Sequence, residues 1–176
     1  MSALLIAPAS EADAPAIAAL YGHHVVHGLG TFEEIPPSAG EMAGRIAGVL
    51  AHGLPYLIAR QGTAILGFAY ASPFRPRAAY RYTVEDSVYV APDAIGRGVG
   101  RALLKRLIAD CEALELRQMV AVIGDSGNAA SIGLHTALGF APAGRNRSLG
   151  FKHGRWVDIV TLQRALNDGD RSLPAL

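Results

Sequence analysis

The chain has 176 residues, of which 51% are hydrophobic and 18% charged, and its formal net charge is +1. This length is typical of one domain with a full-sized core, and the composition excludes disorder and a polyanion-binding surface. No apolar stretch approaches the roughly 20 residues that span a bilayer, and the N-terminus lacks signal-peptide features. We therefore expect one domain over residues 1–176, with 166–176 as a flexible tail, in the cytoplasm and without a nucleic-acid or membrane partner.

Hydrophobic periodicity and capping residues predict alternating strands and helices without an internal repeat. In chain order these are a strand at LLIAPA, helices over 10–27 and about 38–52, strands at PYLIAR and AILGFAYASPF, a long strand over 80–90, a helix that ends near 114, a strand at QMVAVIG, a helix over 128–138, and closing strands near 143–149 and 156–162. This order indicates an α/β layered domain of mixed strands with helices on its faces.

Neither the single cysteine nor the histidine cluster predicts a reactive site. Cys111 excludes an internal disulfide and lies on the apolar face of its helix, so we expect it to pack in the core. His23 and His27 share a helical face beside His24, but no third metal ligand is evident. The sequence therefore predicts no metal site.

The segment APDAIGRGVGRALLKRL, residues 91–107, places Gly96, Gly98 and Gly100 at alternate positions ahead of an amphipathic helix. Glycines at a helix start allow backbone N–H groups to converge on an anion, usually a phosphate. The spacing differs from the Rossmann fingerprint, and the loop lacks the Gly-Lys-Ser/Thr ending of a Walker A motif. Arg97 and Arg101 would suit a bound pyrophosphate. A flexible glycine-rich loop without a ligand is the alternative.

The segment SVYVAPDAIGRGVGRALL resembles the coenzyme-A signature of the GNAT superfamily of N-acetyltransferases, although Ile95 stands where Gln or Arg is usual. The segments TFEEIPPS, PFRPRAAYRYTVEDSVYV, GDSGNAASIGLHTALGF and GFKHGRWVDIV are similar to the branch that contains phosphinothricin and methionine sulfoximine acetyltransferases. This resemblance covers nearly the whole chain. It implies a GNAT-like fold, α/β (α+β mixed), with a central mixed, mostly antiparallel sheet and helices on both faces.

The resemblance also implies acetyl-CoA as the co-substrate, no metal, and a homodimer. In the family the glycine loop holds the pyrophosphate, while the strand before it and an asparagine bind the pantetheine arm. That asparagine corresponds to Asn128, which is equally a natural helix N-cap. The implied cofactor-binding residues are Val88, Tyr89, Val90, Gly96, Arg97, Gly98, Val99, Gly100, Arg101, Asn128 and Ser131.

Acetyl transfer to an amine needs a base, because an α-ammonium group attacks only after it loses a proton. Glu85 is the first candidate, since it lies among β-branched and aromatic residues where the family carries a glutamate; a solvated strand charge is the alternative. His135 is the second candidate, because the family motif has a histidine here, and a packed structural histidine is the alternative. Phe140 stands where some relatives carry tyrosine, so no general acid is assigned there.

Arg75 and Arg77 form a compact basic site ahead of the predicted catalytic strand. We interpret them as a clamp on the carboxylate or second acidic group of the acceptor, with a basic surface turn as the alternative. The other candidates for the acceptor pocket are Phe32, Phe74, Tyr82 and Thr83.

We therefore expect an acetyl-CoA-dependent N-acetyltransferase that acts on the α-amine of a small amino-acid-like acceptor by direct attack in a ternary complex. Phosphinothricin, methionine sulfoximine and methionine sulfone represent this acceptor class. One alternative is an enzyme that acetylates protein N-termini or polyamines. Another is a catalytically silent acyl-CoA-binding module, against which Glu85 argues.

Overall fold

The computed structural model describes residues 3–174, which form seven strands and four α-helices. The strands are β1 (Leu5–Pro8), β2 (Tyr56–Gln61), β3 (Ala64–Pro73), β4 (Thr83–Val90), β5 (Gln118–Gly124), β6 (Ala141–Lys152) and β7 (Arg155–Ala165). The helices are α1 (Ala14–His27), α2 (Ala39–Ala51), α3 (Val99–Ala113) and α4 (Ala129–Ala137). Short 3-10 helices lie at Glu11–Asp13, Ala78–Tyr80 and Pro92–Ala94.

All seven strands belong to one sheet in the order β1-β2-β3-β4-β5-β7-β6. Every neighbouring pair is antiparallel except β4 and β5, which are parallel. Successive strand residues point to opposite faces, and each face has its own core. On one face Tyr56 and Ile58 pack with α1 and α2, and on the other Leu57 and Ala59 pack with α3. The mixed, mostly antiparallel sheet confirms the predicted fold class.

Strands β4 and β5 pair over only four residues and then separate. Their register runs from Thr83 opposite Gln118 to Asp86 opposite Ala121. Beyond this point β4 continues along β3 as far as Val90, while β5 continues along β7. On the side of β4 that faces β5, residues 87–90 therefore have no strand partner within residues 3–174. The separation opens a gap in the middle of the sheet.

Local capping determines where the first two helices begin. The side chain and backbone N–H of Ser38 form a capping box with Glu41, which confirms the predicted start of α2. Ser10 pairs in the same way with Asp13, but this box starts a 3-10 turn, and α1 begins at Ala14. The predicted helix over 10–27 is thus a short 3-10 turn followed by an α-helix.

The C-terminal part of the chain forms two long strands and a segment that packs beside the sheet. Strands β6 and β7 extend beyond the predicted 143–149 and 156–162. After β7, Leu166 is fully buried, and Arg117 donates hydrogen bonds to Ser172 Oγ at 2.9 Å and to the Leu173 carbonyl oxygen at 3.0 Å. These contacts place residues 166–173 beside the start of β5, and the flexibility predicted for 166–176 stays a prediction. In the described part of the chain, no helix is long and apolar enough to cross a bilayer.

Candidate active site

A cleft of about 500 Å³ occupies the gap between β4 and β5. Its walls are the separated ends of these strands, the glycine loop with the start of α3, one side of α4, and residues 28–30 after α1. It brings together all the predicted cofactor-binding residues except Arg97. The Arg97 guanidinium instead donates to Gln61 Oε1 at 2.7 Å, at the outer edge of the loop.

Backbone conformation explains two of the glycines in the glycine loop. Gly96 and Gly98 have φ values of 79° and 80°, and nothing lies within 4 Å of the position a Cβ would take at either residue. A left-handed conformation, rather than crowding, thus favours glycine here. Gly98 is the N-cap of α3 and supplies no side-chain acceptor, so the first N–H groups of this 15-residue helix are available to an anion.

Asn128 and His24 make contacts at opposite walls of the cleft. Asn128 Oδ1 accepts a hydrogen bond from the backbone N–H of Ser131 at 3.1 Å, which confirms its role as the N-cap of α4. His24 Nε2 lies 2.9 Å from the carbonyl oxygen of Val90 and must donate to it. The sequence analysis missed this role of His24, because only the fold brings α1 to the end of β4.

Glu85 is half-buried on the face of β4 that α1 and α2 cover, and it does not line the cleft itself. Burial raises the pKa of its carboxyl group, the negative charge of Asp86 raises it further, and the positive charge of Arg75 opposes both. A carboxylate with a raised pKa is better matched to proton abstraction near neutral pH than a solvated one. The Glu85 carboxyl group is therefore partly shielded from solvent, unlike a solvated strand charge.

A second pocket of about 360 Å³ lies on the same face as Glu85, between the two N-terminal helices and strands β2 and β3. Its lining includes Tyr21, Arg45, Tyr56, Tyr70 and Ser72. Ser72 is the cross-strand partner of Glu85, so the pocket begins next to the candidate base. Sequence reasoning missed this pocket, whose aromatic residues come from separate elements.

The predicted acceptor residues line neither of these two cavities. The Arg75 guanidinium lies 5.2 Å from the centre of the Phe74 ring, and Arg75 is close enough to lower the pKa of Glu85. Arg77 is exposed at the start of a 3-10 turn. Tyr82 and Thr83 are half-buried at the start of β4.

Phe32 lies in the loop between α1 and α2 and packs closely over Gly150 of β6. Its ring also approaches Gly124 at the end of β5. Phe32 therefore lies beside the end of β5 and the last part of β6, whereas Arg75 and Arg77 belong to the segment that precedes β4.

His135 is buried in the wall of the cleft and has two hydrogen-bond partners. Nδ1 lies 2.7 Å from the carbonyl oxygen of Ser131, and Nε2 lies 2.9 Å from Asp86 Oδ2. Burial lowers the pKa of His135, but the hydrogen bond and charge of Asp86 outweigh it and raise the pKa overall. Sequence analysis did not single out Asp86, since nothing in the local pattern connects β4 to α4.

The remaining titratable groups singled out in the sequence have other surroundings. Cys111 is fully buried, and burial raises the pKa of its thiol to about 12, which confirms core packing. The His23 and His27 rings are in contact in a tilted arrangement, with centres 4.7 Å apart and 46° between their planes. Among residues 3–174, no three His, Cys, Asp or Glu side chains converge in a group that could hold a metal ion.

Residues 27–140 match the family model described as "Acetyltransferase (GNAT) family". This chain belongs to the GNAT acetyltransferase family. The GNAT enzyme is 59% identical over 162 residues to phosphinothricin N-acetyltransferase from Alcaligenes faecalis. The aligned region covers 92% of this chain and 82% of that relative. It is 40% identical to an L-methionine sulfoximine/L-methionine sulfone acetyltransferase from Pseudomonas aeruginosa, over 96% of this chain and 98% of the relative.

Solved structures agree with this assignment. A GNAT superfamily phosphinothricin acetyltransferase from Sinorhizobium meliloti, in complex with AcCoA, superposes with a TM-score of 0.95 at 45% identity. The match covers 99% of this GNAT chain and 94% of that structure. The family resemblance and the N-acetyltransferase activity predicted from the sequence are therefore confirmed.

Proposed function

We propose that this GNAT enzyme transfers the acetyl group of acetyl-CoA to the α-amine of a small amino-acid-like acceptor, by direct attack in a ternary complex. The observation that carries the proposal is the cleft between β4 and β5, which has an anion-binding glycine loop in its wall and Glu85 on the adjacent face of β4. The relatives named for phosphinothricin and for methionine sulfoximine support this acceptor class.

The cleft suits acetyl-CoA, which supplies an activated acetyl group as a thioester. The start of α3 at Gly98 presents N–H groups to the pyrophosphate, and Arg101 adds a positive charge. Residues 88–90 lie on an edge of β4 without a strand partner, where His24 bonds the Val90 carbonyl oxygen, and an extended amide-containing arm binds along this edge as an additional strand would. Asn128 and Ser131 line the opposite wall.

Glu85 accepts the proton that the acceptor's ammonium group must lose before it attacks. Its raised pKa makes it a stronger base than an exposed carboxylate, and the positive charge of Arg75 limits this rise in pKa. Arg75 also pairs with the acceptor's carboxylate, because an uncompensated charge in a partly desolvated site is costly. The pocket next to Ser72 accommodates the acceptor's side chain.

We extend the proposal to a homodimer. Strand β6 lies at the edge of the sheet, and an edge strand this long is normally covered. Leu149, Phe151 and Trp156 are 61%, 58% and 65% exposed, although all three are large apolar residues. A second copy of the chain would cover both the edge and these side chains.

Thiol release from acetyl-CoA tests the function. The panel contains phosphinothricin, methionine sulfoximine, methionine sulfone, free L-amino acids, polyamines and peptides with free N-termini. We expect kcat/KM to be highest for the amino-acid analogues. Preferred turnover of peptides would favour the alternative of protein N-terminal acetylation, for which a 37% identical structure from Brucella melitensis is named. Binding of acetyl-CoA without turnover on any amine would indicate a silent binding module.

A further inference from the structure

Asp86 and His135 form a buried ion pair at the point where β4 and β5 stop pairing. Their side chains are 1% and 5% exposed, and Asp86 Oδ2 lies 2.9 Å from His135 Nε2. Asp86 is the last residue of β4 that is paired with β5, opposite Ala121. Both members of the pair line the cleft, so the pair lies at its closed end.

The contacts of the imidazole ring fix the positions of its protons. The carbonyl oxygen of Ser131, 2.7 Å from Nδ1, can only accept, so Nδ1 carries a hydrogen. The Asp86 carboxylate also only accepts when ionised, so Nε2 carries a second one. Asp86 Oδ1 is buried without a hydrogen-bond partner among residues 3–174, which leaves His135 as the hydrogen-bonded counter-charge of this carboxylate.

Other titratable groups around the pair do not compete for this role. Cys111 on α3 lies near enough for the charge of Asp86 to act on its thiol, but burial keeps the thiol neutral. Glu85 is next in the strand and points to the opposite face, and its carboxyl carries the same sign of charge as Asp86. The cation that faces Asp86 is therefore His135.

The ion pair is also an anchor of α4, together with Ile132 and Leu134, which are partly buried against the core. Within this nine-residue helix, all of which the structure describes, His135 is the only buried residue. The same helix carries Ser131 and Leu134 in the cleft wall, and Asn128 caps its start. A bond between Asp86 and His135 thus fixes the distance between β4 and the opposite wall.

We propose that Asp86 is a positioning residue, whose ion pair holds His135 doubly protonated and fixes α4 as one wall of the cofactor cleft. The proposal rests on the proposed function in that the cleft is taken to bind acetyl-CoA. A doubly protonated imidazole has no lone pair that can accept a proton, so His135 does not act as the base. Proton abstraction is left to Glu85.

Two substitutions of Asp86 distinguish the effect of its negative charge from the effect of its hydrogen bond with His135. Asp86→Asn removes the charge but keeps a contact, because its amide group can donate to Nε2 of a neutral ring that still donates from Nδ1 to Ser131. Asp86→Ala removes both. Asp170→Ala, at an exposed aspartate in the C-terminal segment, is the matched control.

Nitrogen-15 NMR of the imidazole, recorded without ligand, reports its protonation directly. In the wild type we expect an imidazolium spectrum at neutral pH and a titration midpoint above the usual value of about 6.5. In Asp86→Asn the midpoint should fall below the usual value, because burial then acts without an opposing charge. A neutral ring in the wild type at neutral pH would overturn the proposal.

Calorimetric titration with acetyl-CoA reports the position of α4. Asp86→Asn should bind within about threefold of the wild type, whereas loss of the contact in Asp86→Ala should weaken binding by about tenfold to a hundredfold. Equal affinities of Asp86→Ala and Asp170→Ala would contradict the positioning role. If Asp86→Ala does not fold, the ring titration of Asp86→Asn still decides the charge state. A wild type that fails to bind acetyl-CoA would instead refute the proposed function, on which the ligand-free titration does not depend.

Discussion

Glu85 combines three influences that act on one carboxyl group. Burial and the charge of Asp86 raise its pKa, and the charge of Arg75 lowers it. A base must be deprotonated to act, so activity is present above this raised pKa and is lost as the pH falls through it. The acid limb of kcat/KM should therefore lie above the usual glutamate value of about 4.3.

Replacement of the proposed base gives the first prediction. Glu85→Gln keeps the shape of the side chain but cannot accept a proton, so kcat should fall by about 10²–10⁴-fold, while acetyl-CoA affinity measured by calorimetry stays unchanged. Glu11→Gln, at an exposed glutamate near the N-terminus, serves as the control and should match the wild type. Wild-type turnover and an unchanged pH profile in Glu85→Gln would show that this residue is structural.

Arg75 gives a prediction with two independent readouts. Arg75→Ala should raise KM for amino-acid acceptors by about tenfold to a hundredfold, through loss of a charge-assisted contact, and should affect a neutral amine much less. It should also move the acid limb to higher pH, because the charge that lowers the pKa of Glu85 is gone. Arg77→Ala is the neighbouring control for the pH readout, because Arg75 and not Arg77 acts on the pKa of Glu85. An equal loss for both kinds of acceptor would assign Arg75 to the fold.

At the level of single residues, the sequence could predict the role of a residue where that role depends on its own backbone conformation or on near neighbours in the chain. The glycine loop and the Asn128 cap depend on backbone conformation and on residues three or fewer positions away. The bond of Asp86 to His135 joins residues 49 apart, and that of His24 to Val90 joins residues 66 apart. Such partners are determined by how helices pack on the sheet, which local patterns do not specify.

The loop between α1 and α2 begins in the wall of the cleft and is held by close packing on two strands. A Cβ at Gly124 would lie 2.2 Å from the carbonyl oxygen of Leu29, and a Cβ at Gly150 would lie 2.3 Å from the Phe32 ring. Lys152 Nζ donates to the Thr31 carbonyl oxygen at 2.7 Å. Glycine at 124 and 150 therefore lets the loop lie directly on the sheet.

Displacement of this loop gives the next prediction. Gly124→Ala should destabilise the protein by about 1–3 kcal/mol, because the added methyl group forces a backbone shift. This corresponds to a decrease in Tm of about 2–4 °C per kcal/mol for a chain of this size. KM for acetyl-CoA should rise as well, since residues 28–30 line the cleft. Gly44→Ala, on the exposed side of α2 with open space around it, should not lower Tm.

Hydrophobic periodicity predicted whether a segment is a helix or a strand more accurately than it predicted where each helix or strand begins and ends. The strand predicted over 80–90 starts at Thr83, because residues 78–80 form a 3-10 turn that the local pattern does not distinguish from a strand. Strand β6 extends to Lys152 although most of its residues are exposed. Its length is fixed by pairing with β7 across the turn at residues 153–154, rather than by a hydrophobic pattern.

At the level of the whole molecule, substitution on the exposed face of β6 and β7 tests the proposed homodimer. We expect sedimentation velocity to give a dimer for the wild type at micromolar concentration, and Trp156→Glu to shift the population toward monomer. A charge placed at the centre of an apolar interface is left without a partner, whereas the same charge on a solvated surface costs little. Leu173→Glu, at a highly exposed leucine outside the sheet, should remain dimeric. A monomeric wild type would refute the homodimer.

The short contact between β4 and β5 makes the binding cleft a weak seam inside the sheet, with no more residue pairs than join the edge strand β1 to β2. Only four residue pairs join the four strands on one side to the three on the other. A ligand that lies across this seam closes it, and its binding free energy adds to the stability of the whole domain, by about 2.7 kcal/mol at a hundredfold excess over Kd. We therefore expect acetyl-CoA to raise Tm and to slow hydrogen exchange most strongly at the amides of residues 87–90. Uniform slowing along all seven strands would mean that this seam is already closed in the free enzyme.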